Sequence, residues 1–245
     1  MAKTSWSKLD PRFRGGDDSR SDSARGRQPK RRAPNRPYAG KEWTENERAA
    51  LAQLSTPSAI QAFLDAVPYS ADKFYRCPRR VLAERRAHCF DGALFAAAAL
   101  RHIGHAPLLL DMRAVRDDDH VIAVFKVRGC FGAVAKSNFV GLRYREPIHR
   151  SLRELVMSYF EDFFNELAEK TLRSYSTLVD LRRFDALEWE WSDAAPEHIA
   201  TALDRARHFP LLTRSQARGL SQLDERSYRA GMLGLDRAGL YKVGD

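Results

Sequence analysis

The chain has 245 residues, 44% of them apolar, and a mean hydropathy of −0.50, which is ordinary for a soluble globular chain with one sizeable core. The formal net charge of +9 is unevenly placed: residues 1–41 hold 12 Lys+Arg and 4 Asp, leaving 29 basic and 28 acidic residues for the rest. The near-neutral remainder removes any argument for a nucleic-acid-binding domain from the basic pI of 9.7. Three cysteines (Cys77, Cys89, Cys130) without metal-ligand spacing fit a reducing compartment rather than a disulfide framework. The longest apolar run, around Phe90 to Leu100, carries Asp91 and is too short to span a bilayer. The charged N-terminus has no apolar h-region. The expectation is a cytoplasmic protein without membrane association.

From Met1 to about Lys41 the chain is rich in Arg, Ser, Gly, Asp and Pro and lacks apolar periodicity, so a disordered basic tail is predicted. Within it, Leu9-Asp10-Pro11-Arg12-Phe13-Arg14-Gly15-Gly16-Asp17 resembles the peptide made when a dispersed bacterial genomic repeat is translated, which implies a spurious extension. The functional alternative is a polyanion-binding arm centred on Lys30-Arg31-Arg32. Residues 42–245 are read as a single domain.

Thr44 to Leu54 reads as a short helix, and Ser55 or Thr56 before Pro57 opens a second through Ile60, Phe63 and Leu64. A linker through Tyr75, Cys77 and Pro78 leads to the run beginning at Cys89, where Phe90, Ala93, Leu94, Ala97 and Arg101 keep the spacing of one helix face. Gly104 stops that helix. Pro107 to Met112 reads as a buried strand. Val121–Val127, the turn Arg128-Gly129 and Cys130–Ala135 read as a hairpin. Ser151-Leu152-Arg153-Glu154 has the form of a capping box opening a long amphipathic helix to Leu167. Leu187, Trp189 and Trp191 alternate with acidic residues as in a half-exposed strand. Pro196 begins a further helix, and the end of the chain is loosely helical.

Cys89 at a helix start is the one residue placed for nucleophilic chemistry, because unpaired amide donors and the positive helix end favour a thiolate. Such a thiol needs a base, and His120 is the best placed of the seven histidines: it opens a hairpin strand after the polar loop Arg116-Asp117-Asp118-Asp119. His88 is too near in sequence to face Cys89; His102 and His105 flank a helix end; His149, His198 and His208 fall at expected helix boundaries. An orienting third member follows from hairpin arithmetic. A two-residue loop puts Ser137 opposite His120, whereas one extra residue puts Asn138 there, and Asn138 is chemically the better orienter. The first oxyanion donor would be the Cys89 backbone N–H. Asp117 to His120 do not form a metal site, since neighbouring side chains in an extended segment diverge and no second ligand cluster accompanies them. No metal and no cofactor are expected. Arg143, Tyr144 and Arg145 are candidate substrate-carboxylate or phosphate contacts, against the alternative of a surface ion pair with Glu146 and a buried tyrosine.

The order of these parts resembles the transglutaminase-like superfamily, related to papain-like cysteine peptidases. More narrowly, His88-Cys89-Phe90-Asp91-Gly92-Ala93, Asp118-Asp119-His120-Val121-Ile122-Ala123, Gly132-Ala133-Val134-Ala135-Lys136-Ser137-Asn138 and Leu142-Arg143-Tyr144-Arg145-Glu146-Pro147 resemble an uncharacterised bacterial branch of it, over roughly residues 50 to 180. The resemblance implies an α+β fold of transglutaminase-like or papain-like core, with a Cys-bearing helix packed on an antiparallel sheet and extra helices at both ends. It implies Cys89 as nucleophile and His120 as base of a thiol-dependent hydrolase or acyltransferase acting on a peptide, protein or small amide substrate. The family's usual Asp is absent, with Ser137 and Asn138 in its place. The rival from another class is a catalytically silent peptide- or protein-binding domain of the same fold, and nucleic acid enters only through the basic tail.

Overall fold

The computed structural model describes residues 42–243; the expectations for the basic tail lie outside them. In chain order the elements are α1 (Glu45–Ala52), α2 (Pro57–Asp65), α3 (Pro78–Glu84), α4 (Cys89–His102), β1 (Leu108–Ala114), β2 (His120–Val127), β3 (Cys130–Val134), β4 (Arg145–His149), α5 (Leu152–Met157), β5 (Leu172–Ser176), β6 (Val179–Asp180), α6 (Ala195–Arg205), β7 (His208–Pro210), α7 (Arg214–Arg218) and α8 (Glu225–Gly231), with short 3-10 turns between and after them. The fold is α+β. One antiparallel sheet runs β4-β3-β2-β1-β5-β7, with β6 sharing the outer edge of β1 with β5. Among the described residues no helix is long and apolar enough to cross a membrane.

Strand alternation divides the core into two layers. Leu109, Val121, Ala123, Phe125 and Val134 face α4 and the N-terminal helices, and the buried residues of α4 fill that layer. Leu110, Met112, Ile122, Val124 and Ala133 face the other way, onto Leu155, Val156, Tyr159 and Phe163. The alanine run of α4 is what lets it lie flat on β2: Ala93, Ala96 and Ala97 are fully buried, and side chains this short permit close approach of helix to sheet.

The N-terminal caps fall where the sequence puts them. Thr44 and Glu47 form a capping box on α1, and Thr56 caps α2 with Pro57 in its first turn. Arg128 (φ 48°) and Gly129 (φ 87°) make the two-residue hairpin turn, the left-handed pair a type I′ turn requires.

Three expectations are corrected. The long helix from Ser151 ends at Met157, because the Ser158 carbonyl accepts from the Arg145 guanidinium and the Ser158 hydroxyl donates to the Leu155 carbonyl; a short 3-10 turn, Phe160–Asp162, follows. The expected strand around Leu187 to Trp191 is a turn: Glu188 is left-handed (φ 55°) and Trp189 Nε1 bonds back to Asp185 at 3.0 Å. The expected linker before Cys89 contains α3, opened by Pro78 at its first position.

Candidate functional site

The start of α4 is fixed by residues on either side of Cys89. His88 is the N-cap: its Nδ1 accepts from the Phe90 N–H at 3.2 Å, while the Asp91 carboxylate accepts from the His88 N–H at 3.4 Å. Asp91 is fully buried. It also accepts from the Arg76 backbone N–H at 2.9 Å and faces the buried Arg76 guanidinium at 3.5 Å, so the first turn of α4 is anchored to the segment before α3. The Nδ1 lone pair of His88 is engaged by the helix it caps. One residue after Asp91, a Cβ at Gly92 would stand 2.2 Å from Lys136 Cβ; glycine there lets the chain leaving β3 pass against the first turn. The Lys136 ammonium in turn caps the end of α2, donating to the Leu64 carbonyl at 2.8 Å and to that of Val67.

Cys89 is the first residue of α4 and is half-buried. Its Sγ lies 3.9 Å from the carbonyl oxygen of Asp119, the residue whose peptide carries His120. Two segments some thirty residues apart thus meet at the helix start and the strand start. His120 is 5% exposed. Its Nε2 lies 2.9 Å from the Leu142 carbonyl oxygen, and its ring packs edge-on against Phe163 at 6.3 Å. A carbonyl oxygen only accepts, so Nε2 carries the hydrogen and, in the neutral ring, Nδ1 carries the lone pair. The tautomer is the one a base acting through Nδ1 needs.

The orienting contact is a backbone carbonyl, and the arithmetic for a side chain ends differently from expectation. The hairpin has the two-residue register, Val127 opposite Cys130 through Ala123 opposite Val134. β3 leaves the sheet after Val134, so neither Ser137 nor Asn138 is laddered opposite His120. The Ser137 hydroxyl accepts from the Phe139 N–H at 3.0 Å. Asn138 clamps a distant turn: its Nδ2 donates to the Asp236 carbonyl at 2.8 Å and its Oδ1 accepts from the Asp236 N–H at 2.9 Å.

The acidic loop before His120 bends at Arg116 (φ 56°) rather than running extended. Asp117 accepts from the Thr171 hydroxyl at 2.7 Å and the Asp118 N–H at 2.9 Å, and burial pushes its carboxyl up to about 7. Asp119 accepts from the Ala114 N–H at 2.9 Å.

The candidate substrate contacts hold the fold. Arg143 pairs with Asp65 at 3.1 Å. Arg145 lies over the Tyr159 ring at 4.0 Å and donates to Gly141 O, Ser158 O and Asp162. The Tyr144 hydroxyl donates to Glu146 at 3.3 Å, and burial followed by that carboxylate raises its pKa to about 12. The two arginines pair with Asp65 and Asp162 rather than with Glu146, and Tyr144 is half-buried rather than buried. His149 and His208 lie in β4 and β7 rather than at helix boundaries.

No protein-family model matches the chain, and no curated protein sequence matches it either.

One participant has no signature in the sequence: the Leu142 carbonyl that holds His120 is a backbone group. Tyr69 forms an isolated bridge with Ala87 next to the His88 cap, and its ring lies 6.4 Å from the His88 ring. Burial, followed by the Cys89, Asp118 and Asp91 charges, holds that phenol well above its usual pKa.

Proposed function

We propose that the protein is a thiol-dependent hydrolase or acyltransferase acting on an amide or acyl substrate, with Cys89 as nucleophile and His120 as base, on a core of transglutaminase-like type. The observation that carries this reading is the meeting of the Cys89 sulfur with the Asp119–His120 peptide, 3.9 Å from sulfur to carbonyl oxygen, beside an imidazole whose Nε2–H is held by Leu142.

In the reaction, His120 takes the thiol proton through Nδ1, and the Cys89 thiolate forms a C–S bond to the carbonyl carbon. The carbonyl electron pair moves to oxygen, where a Cys89 N–H at the helix start stabilises it. Collapse of the oxyanion breaks the bond to the leaving group, an amine in the amide case, and the imidazolium protonates it. Water or a second amine then attacks the thioester with His120 again as base, and the thiol is regenerated. The Leu142 carbonyl fixes the tautomer and stabilises the imidazolium, as an orienting group does in any thiol–imidazole pair.

One observation favours the silent peptide- or protein-binding domain instead. His120 shares its face of β2 with Ile122 and Val124, which pack on the layer containing Phe163, whereas Cys89 packs against the α4 layer. The thiol and the ring must therefore meet around the end of β2. Acylation by p-nitrophenyl acetate separates the two. The enzyme reading expects a stoichiometric burst of p-nitrophenol with an acetyl group recovered on the Cys89 peptide, abolished in Cys89→Ala and slowed at least about tenfold in His120→Ala. A burst absent from the native protein, or indifferent to His120, supports the silent domain.

A further inference from the structure

The segment that holds His120 is itself held. Three consecutive carbonyls between β3 and β4 accept from three different side chains: Gly141 O from Arg145 Nη2 at 2.8 Å, Leu142 O from His120 Nε2 at 2.9 Å, and Arg143 O from the Tyr159 hydroxyl at 2.7 Å. The carbonyl that fixes the His120 tautomer therefore lies between two that are pinned. Each peptide unit is planar, so fixing the units before and after leaves the one carrying Leu142 O little freedom to turn.

Both pinning donors are built into the layer beneath. Tyr159 is fully buried, and burial, outweighing the neighbouring Arg145, holds its phenol well above the usual pKa. It thus remains a donor through the range in which thiols titrate. The Arg145 guanidinium lies over the Tyr159 ring at 4.0 Å and also reaches the Ser158 carbonyl at 3.0 Å and Asp162 at 3.1 Å. Asp162 closes the arrangement against Gly141, where an added Cβ would stand 2.3 Å from Asp162 Cγ; glycine there lets the carbonyl segment lie this close. The next residue, Phe163, supplies the ring against which His120 packs edge-on. The short stretch after α5 thus seats the imidazole and also sets the carbonyl to which it donates.

We propose that Tyr159 and Arg145 are positioning residues for the base: by pinning the Arg143 and Gly141 carbonyls they hold Leu142 O on the His120 Nε2–H and keep the lone pair on Nδ1, toward the thiol chemistry. The inference rests on the thiol-site reading and deepens it. A neutral imidazole has two tautomers, and only one of them offers Nδ1 as the proton acceptor. The imidazolium formed when Cys89 gives up its proton is likewise stabilised by an acceptor set in place before the reaction.

The test reads the His120 tautomer and the Cys89 pH profile in the same full-length proteins. Tyr159→Phe deletes one buried hydroxyl and keeps the ring. Arg145→Lys keeps a cation but loses the planar fork, which also spans the Ser158 hydroxyl and the Tyr144 carbonyl. In the native protein, long-range proton–nitrogen NMR of the neutral His120 ring should show Nε2 protonated and Nδ1 unprotonated; in each variant the two nitrogen signals should move toward each other as tautomers mix. Iodoacetamide labelling of Cys89 near pH 6.5 should fall about three- to tenfold in each variant, with the profile moving to higher pH, part of the way to that of His120→Ala. Ser151→Ala removes the cap of α5 without touching the three carbonyls, and both readouts should stay native. Tautomer and profile unchanged in both variants, or shifted as much by Ser151→Ala, overturns the positioning role while leaving a His120-dependent Cys89 intact. A native Cys89 profile indifferent to His120→Ala overturns the thiol site and the positioning role with it.

Discussion

Cys77 and Cys89 both stand at helix starts, yet the structure gives them different surroundings. Cys77 is the N-cap of α3, fully buried, and its backbone N–H is bound to the Asp193 carboxylate at 3.0 Å. Burial, reinforced by Asp193, drives its thiol pKa far above the usual range. Cys89 opens the longer α4, is half-buried and meets the strand end that carries His120. A helix N-terminus is thus not sufficient to make a reactive thiol: desolvation and a neighbouring carboxylate outweigh it at Cys77.

The largest expected effect is in thiol reactivity. At pH 7 iodoacetamide should label Cys89 at least about a hundredfold faster than Cys77 in the native protein, and the ratio should fall to near one in denaturant; peptide-resolved mass spectrometry of a time course measures both. Next comes the anchor of the helix start. Asp91→Ala leaves the buried N–H groups of Arg76 and His88 without their acceptor, so urea denaturation should show a loss of about 3 kcal/mol together with slower Cys89 labelling as the first turn loosens.

Asp117 extends the lesson of Cys77 to a carboxyl, and the sign of its pH dependence is fixed. With a folded-state pKa near 7 and an unfolded value of about 3.9, the folded state binds more protons between those limits. This group's contribution to stability therefore falls as pH rises from about 4 to 7 and is level outside that window. Denaturation midpoints should show wild type losing ground to Asp117→Asn across the window; a constant gap would contradict the assignment. The smallest effect is expected at Asp193→Asn. Because burial is the first cause of the Cys77 shift, labelling of Cys77 should rise by no more than about threefold, and a rate approaching that of Cys89 would mean the carboxylate, not desolvation, separates the two thiols.

Much of the scaffold was legible because its signals are local. Thr44, Thr56 and Pro57 mark the first two helices, Gly104 the end of α4 and Arg128-Gly129 the hairpin, since caps and turns are set by a few adjacent residues. Cys89 and the strand opening at His120 came from the same local grammar. What escaped depended on partners far along the chain. Arg145 stops α5 by taking the Ser158 carbonyl. β5 and β7 form only as sheet partners, β5 on β1 and β7 on β5. The contact that fixes the His120 tautomer is a carbonyl, which no residue type advertises. Asn138 has the chemistry of an orienter, but the early end of β3 delivers it to Asp236 instead.

The central claim is that Cys89 owes its reactivity to His120 as well as to the helix start, and the most direct measurement is iodoacetamide labelling of Cys77, Cys89 and Cys130 from pH 5 to 9 in the native protein and in His120→Ala. The account predicts that native Cys89 is the fastest of the three at pH 6 to 7, where an ordinary thiol of pKa about 8.5 is mostly protonated. In His120→Ala that advantage should be lost, with the Cys89 profile moving to higher pH. Equal rates at the three thiols, or a fast Cys89 indifferent to the loss of His120, would contradict it.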